Sequence, residues 1–357
     1  MKSGISIISL GTLLFLLIII PVGALQAQET RLLLNLRGDW KFQTGDETRW
    51  ADPAFNDSKW AKIYVPSEWE DEGYEGYDGY GWYRKHFTVP ENWLSKDLIL
   101  DLGTIDDVDE VFVNGQAIGG TGFFPPDYAT AYNTHRRYAI PSDILKSGDN
   151  NVIAVRVYDD EQAGGITSGH IGIYEQRDVF HPDITLPTIW KLKTGDNMEW
   201  REIQFDDSNW KDVRVPSAWE HQGFRNYDGY AWYRVVFKVP ADYQDNDLIL
   251  LAGKIDDFDE TYLNGERIGK TGPMPKKEMH STNSNAYSQL RAYPIPSGLL
   301  HPGKENTLAV RVYDCWQTGG IYEGPIGIVD REQYRNYKRT HRNFNDWFRD
   351  LFDDFFD

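Results

Sequence analysis

The sequence predicts an all-β protein built from two tandem β-sandwich domains, and three observations carry that expectation. One stretch occurs twice: Ile105-Asp106-Asp107-Val108-Asp109-Glu110-Val111-Phe112-Val113-Asn114-Gly115 returns as Ile255-Asp256-Asp257-Phe258-Asp259-Glu260-Thr261-Tyr262-Leu263-Asn264-Gly265. Its second half is β-branched and aromatic and closes on Asn-Gly, so it reads as a strand entering a two-residue hairpin turn. Around it, short apolar runs alternate with Gly-, Pro- and Asp-rich connections and few helical periods, the pattern of a sandwich.

The duplication runs far beyond this stretch. Trp40 matches Trp190, Trp60 matches Trp210, and Trp82-Tyr83-Arg84 matches Trp232-Tyr233-Arg234, all at an offset of 150 residues. Past Thr121-Gly122 and Thr271-Gly272 the offset is 155, as Tyr138 to Tyr293 and Arg156 to Arg311 show, so the second copy carries five extra residues after Gly272. Solenoid units repeat every ~20 to 50 residues; each copy here is the size of an ordinary domain.

Taken in order, residues 1–27 have one positive charge at Lys2, an apolar run from Leu13 to Ile20 and a small residue, Ala27, before Gln28. This predicts a cleaved signal peptide and a secreted or periplasmic protein, the apolar core being shorter than the ~20 residues of a spanning helix. The first sandwich is expected over 33–176, with strands at Trp40 to Gln43, Tyr80 to Thr88, Asp97 to Asp101, Glu110 to Val113, Arg137 to Ile140 and Val152 to Tyr158. Ala51 to Trp60 reads instead as a turn or one-turn helix pinned by an aromatic ring. A short linker, 177–186, leads to the second sandwich at 187–330, and its length predicts a fixed relation between the two. In the tail, 331–357, Phe344, Trp347, Phe348, Leu351, Phe352 and Phe355 recur at helical steps. That amphipathic helix is expected either to dock back on a sandwich or to bind a protein partner.

With Cys315 as the only cysteine, neither domain holds an internal disulfide and stability must come from burial. The formal net charge of −18 argues against nucleic-acid or anionic-membrane partners.

Residues able to carry chemistry fall in three clusters per copy. The first is Trp69-Glu70 with Tyr77-Asp78, and its twin Trp219-Glu220 with Tyr227-Asp228. Sugars stack their C–H faces on flat rings and pair their hydroxyls with carboxylates, so these combinations point to carbohydrate binding. Trp82 or Tyr83 is assigned to the core. The second cluster is the acidic run Asp106, Asp107, Asp109 and Glu110. Its spacing departs from a calcium loop, which favours turn capping and an ion pair with Arg84 or Arg156, with structural calcium as the alternative. The third places Asp159 and Asp160 before Gly164-Gly165-Ile166, and Asp314 and Trp316 before Gly319-Gly320-Ile321. The loop differs between copies, so ligand preference is expected to differ too. A Ser168–His170 pair has Glu323 and Pro325 as counterparts and is discounted as a nucleophile site, and the eight His residues show no metal-ligand spacing.

The ordered set Trp40-Lys41-Phe42, Val65-Pro66-x-x-Trp69-Glu70, Trp82-Tyr83-Arg84-x-x-Phe87-x-Val89-Pro90, the Ile105 to Gly115 stretch, Ile140-Pro141, Ala154 to Asp159 and Gly164-Gly165-Ile166 resembles the N-terminal sugar-binding domain of glycoside hydrolase family 2. A similar domain is embedded in sialate O-acetylesterases. The resemblance covers both copies, Leu33 to Ile173 and Leu186 to Ile328, with Trp190-Lys191-Leu192 a mild departure from Trp-x-Phe. It implies galactose-binding-like jelly rolls whose loop before Gly-Gly-Ile contacts sugar, here through Asp159, Asp160 and Asp314. Family 2 enzymes carry their catalytic carboxylates on a separate barrel, and the esterases carry a Gly-Asp-Ser block that is not found here.

The sequence therefore leads to a non-catalytic protein that binds oligosaccharide or polysaccharide as an accessory to polysaccharide degradation. A β-galactosidase-like glycoside hydrolase, or a subunit of one, is the alternative; a scaffold acting through the C-terminal helix is a third. No catalytic residue and no required cofactor are assigned.

Overall fold

The computed structural model describes residues 30–340 except 178, 244–246, 278 and 280–283. The predicted signal peptide and the aromatic repeat from Phe344 to Phe355 lie outside the described residues.

The first copy folds into ten strands: β1 (Thr30–Asn35), β2 (Gly38–Thr44), β3 (Ala61–Val65), β4 (Gly79–Thr88), β5 (Leu98–Ile105), β6 (Val108–Val113), β7 (Gln116–Thr121), β8 (His135–Ile140), β9 (Asn150–Asp159) and β10 (Ile166–Gln176). They form a four-stranded sheet, β1-β10-β5-β8, and a six-stranded sheet, β3-β2-β4-β9-β6-β7. The second copy repeats this plan with β11 (Ile184–Thr185), β12 (Ile189–Thr194), β13 (Lys211–Arg214), β14 (Gly229–Lys238), β15 (Leu248–Asp256), β16 (Phe258–Leu263), β17 (Glu266–Thr271), β18 (Leu290–Pro294), β19 (Glu305–Asp314) and β20 (Gly320–Asp330). Its sheets run β11-β20-β15-β18 and β13-β12-β14-β19-β16-β17. The protein is thus all-β, with two jelly-roll-like sandwiches as the sequence predicted and, among the described residues, one short C-terminal helix.

Alternation along the strands builds each core. Val111 and Val113 on β6, Tyr83 on β4 and Val155 on β9 point inward and are fully buried together with Phe42 and Leu100. Between β6 and β7 the chain turns on Asn114 and Gly115 at φ 50° and 83°, the two positive angles of a type I′ hairpin; Asn264 and Gly265 repeat it at 50° and 85°.

The outer face of the large sheet is covered as well. A short 3-10 turn, Thr48–Ala51, delivers Trp50 against Trp60 and Trp82, which explains why both faces of β4 are buried from Gly81 to Arg84. Arg84 is buried under this cover; its Nε donates to Asp57 at 2.7 Å and its Nη1 to the Asp52 carbonyl at 3.1 Å. Of the two arginines expected to pair with the acidic stretch, Arg156 does and Arg84 does not. Glu110 does meet Arg156, at 3.4 Å, but Arg84 belongs to Asp57, and Asp109 pairs with Arg136.

After β20 the chain enters the helix α1 (Arg331–Thr340), a polar stretch at the start of the 331–357 tail. Tyr334 packs on the cluster of Ile249, Leu251 and Val329, and Tyr337 meets Phe180 at 4.5 Å between ring centroids. No helix among the described residues is long and apolar enough to cross a membrane.

Candidate functional site

At one end of each sandwich, three pieces of chain bring carboxylates together. In the first copy the β5–β6 turn supplies Asp106 and Asp107, the end of β9 supplies Asp159, and the turn after β3 supplies Glu70. Asp107 accepts the Asp160 N–H at 2.9 Å and the Thr130 hydroxyl, while Glu70 accepts the Trp69 indole N–H at 2.7 Å and the Gly164 N–H at 3.1 Å. Asp159 is fully buried and neither of its oxygens has a hydrogen-bond partner. Burial, followed by the charges of Asp106, Asp107, Asp78 and Glu70, pushes its carboxyl up to about 8.

The second copy repeats the arrangement with Asp256, Asp257, Asp314 and Glu220. Glu220 is buried and both of its oxygens lie 3.1 Å from the Gly319 N–H; burial raises its carboxyl to about 8. Asp314 rises to about 9, again chiefly through burial. Oxygens of Asp256, Asp257 and Asp314 lie within 4.8 Å of one another, a spacing that a cation bound by carboxylates would fit.

Sequence reasoning placed Trp69 and Trp219 in ligand-binding loops, and the structure corrects this. Both are fully buried, because Gly164 and Gly319 lie flat against the indoles: a Cβ on either would sit 1.9 Å and 2.2 Å from ring carbons. These rings close the core edge and leave no face for a sugar. Tyr77 and Tyr227 are half-buried and donate to the carbonyls of Tyr80 at 2.8 Å and Tyr230 at 2.5 Å, so they brace the start of β4 and β14. Asp78 and Asp160 are exposed on the first sandwich, where Asp160 accepts the Tyr158 hydroxyl at 3.1 Å.

Asp228 and Trp316 remain from the second copy, and both face a cleft of about 360 Å³ between the sandwiches. Trp316 is 63% exposed, the barest large apolar side chain among those described. Asn226 and Gln317 continue the same wall, and Phe123, Asp127, Tyr128 and Ala129 of the first sandwich form the opposite one. Three aromatic rings, two carboxylates and two side-chain amides thus share one concavity. A hollow of about 410 Å³ along Thr185 to Pro187 and Val236 to Lys238 offers no exposed ring.

The cleft keeps its shape through contacts across the domain boundary. Asn226 donates to Asp127, Arg225 meets Glu110 at 3.4 Å, and Arg214 meets Asp143 at 3.2 Å. His221 packs on Gly120 so closely that a Cβ there would lie 2.7 Å from the imidazole. Burial, with the Arg225 charge, lowers His221 to about 4 and keeps it neutral. Sequence reasoning missed Phe123, Asp127, Tyr128, Asn226 and Gln317. Phe123-Phe124-Pro125-Pro126-Asp127-Tyr128, with rings flanking a proline pair and an acid, was the available signal.

The profile of the β-galactosidase second all-β domain matches residues 45–163 and again 194–319. β-Galactosidase BoGH2A of Bacteroides ovatus is 29% identical over 173 residues, 45% of this chain and 18% of that protein. A β-glucuronidase of Formosa agariphila is 29% identical over 145 residues, 36% of this chain and 14% of that protein. The chain thus spans less than a fifth of these curated relatives. Among solved structures, a β-glucuronidase of Bacteroides uniformis aligns with a TM-score of 0.35 and 18% identity, covering 82% of this chain and 28% of that one. Matched in both copies over more than half of its length, the chain belongs to the family of the β-galactosidase second all-β domain.

Proposed function

We propose that this protein binds uncharged oligosaccharide in the cleft between its sandwiches without cleaving it, as an accessory to polysaccharide breakdown. The observation that carries this reading is Trp316, a bare indole beside Asp228 and Asn226 and across from Tyr128 and Asp127. Ring faces take the C–H faces of a sugar, and the carboxylates and amides take its hydroxyls. The lining holds two acids and no Lys or Arg, which disfavours uronic acids and favours neutral sugars. Relatives named as a β-galactosidase and a β-glucuronidase support carbohydrate as the ligand, while the preference for neutral sugars rests on the cleft lining alone. Export of the mature chain through residues 1–27 belongs to the same reading.

The test is affinity electrophoresis on a panel of neutral and acidic polysaccharides, with Trp316→Ala beside the parent and reducing sugar assayed in the same samples. Retardation by neutral polymers that Trp316→Ala loses, with no sugar released, is the expected result. Sugar release would replace this reading by hydrolysis, and binding indifferent to Trp316→Ala would move the site away from the cleft.

A further inference from the structure

Asp256 and Asp257 lie at the β15–β16 junction and Asp314 ends β19, so neighbouring layers of the second sandwich direct three carboxylates at one point. Their oxygens lie within 4.8 Å of one another. Two oxygens that share one calcium ion at ~2.3–2.6 Å can be no more than ~5 Å apart, and the trio meets that limit. Asp314 adds a second, separate sign. Its Oδ1 accepts the Trp316 N–H at 3.1 Å, but its Oδ2 is buried with no hydrogen-bond partner. A buried carboxylate oxygen left bare in a packed interior is costly unless a cation or proton meets it.

The surroundings do not supply that charge. Glu220 and Asp228 add negative potential at Asp314. Arg291, the cation felt by Asp256, is committed to Asp259 at 2.8 Å. Asp257 accepts the Cys315 N–H at 3.0 Å through Oδ2. In the first sandwich Asp159 is bare as well, but Asp107, the counterpart of Asp257, is capped at both oxygens, by the Thr130 hydroxyl at Oδ1 and the Asp160 N–H at Oδ2. Among the described residues, only the second sandwich gathers three such ligands.

We propose that Asp256, Asp257 and Asp314 hold a calcium ion. Three hard carboxylate oxygen donors suit calcium better than zinc or copper, which prefer imidazole and thiolate. Through the Asp314 to Trp316 main-chain contact, the ion braces the loop that presents the exposed indole. The binding itself is read with calcium alone and stands apart from the carbohydrate reading.

The experiment is calorimetric titration of the chelator-stripped, full-length protein with calcium chloride at pH 7.5, beside thermal melts. Expected are one ion per chain and a Tm rise on the order of 5 °C at a hundredfold excess over Kd, reversed by EDTA. Asp314→Asn should lose the binding heat. Should that variant fail to fold, Asp256→Asn at the half-buried position should weaken binding at least ~10-fold. Asp159→Asn, the counterpart in the first sandwich, should leave one ion bound. Calcium binding that survives both second-domain substitutions overturns the proposal. So does a protein that shows no calcium heat and instead melts higher as pH falls from 8 to 5, which would assign the gap to a shared proton.

Discussion

Arg136 on the four-stranded sheet donates through Nε to Asp109 on the six-stranded sheet at 2.8 Å, with both side chains fully buried, and Arg291 and Asp259 repeat the bond at 2.8 Å in the second sandwich. The pair ties the two layers of each sandwich together at the end that carries the acidic turn. The Arg136 guanidinium also meets the carbonyls of Ala131 at 2.5 Å and Asp107 at 2.9 Å, so its donors are satisfied.

Removing one partner leaves the other charge buried and alone, a loss of about 3–5 kcal/mol. Arg136→Ala is expected to lower stability by that amount in urea denaturation. The exposed Lys62–Asp39 pair at 2.9 Å is the control, since deleting an exposed pair costs at most ~1 kcal/mol. Equal losses would place the stability of the sandwich elsewhere.

The two tryptophans near the second Gly-Gly-Ile segment should separate binding from folding. Trp219→Ala empties a core position and is expected to cost about 3–5 kcal/mol. Trp316→Ala should leave Tm within ~2 °C of the parent and weaken sugar binding ~10-fold, the scale of one lost stacking contact. Melting curves and sugar titration on the same preparations check both.

Asp159 gives stability a pH dependence of defined sign. Its folded value of about 8 stands above the ordinary 3.8, so the native state binds the proton more tightly. The stability contributed by the protonated acid is complete below about pH 4 and is lost as pH rises through about 8. Asp159→Asn, permanently neutral, should match the parent at pH 4 and exceed it by ~1 kcal/mol or more at pH 8.5. Denaturation at the two pH values decides, and an equal difference at both would refute the assignment.

His221 works in the opposite direction at the domain boundary. Lowered to about 4 from 6.5, it favours the docked arrangement above pH 6.5, and that contribution is lost as pH falls through about 4. Proteolysis of the 177–186 linker should therefore accelerate on acidification, and His221→Phe should flatten the effect.

Much of this was legible in the residues. The duplication, the Asn114-Gly115 and Asn264-Gly265 turns and the strands around Trp82 and Val155 follow from local chemistry and period-2 alternation. β10 escaped notice because Gly169 and Gly172 break its apolar pattern. Trp69 looked like a sugar platform because no local signal records that Gly164 lies over its ring. The cleft was less legible still: each wall belongs to a different copy, and Trp316 meets Tyr128 across it through the docking of one sandwich on the other, His221 on Gly120 and Asn226 on Asp127 among its contacts. The copies also differ there, Trp316 standing where the first has Glu161, so the repeat itself gave no warning.

The pairing of β1 with β10, Thr30 opposite Gln176, and of β11 with β20, Ile184 opposite Ile328, puts the entry and exit of each sandwich side by side on one sheet. A copy can then be spliced after another, or its ends joined and reopened at an exposed turn, without threading any strand through a finished sheet. The gene could lengthen by whole beads, and each new junction would bring a new pair of surfaces face to face, a source of binding sites that neither bead encodes by itself.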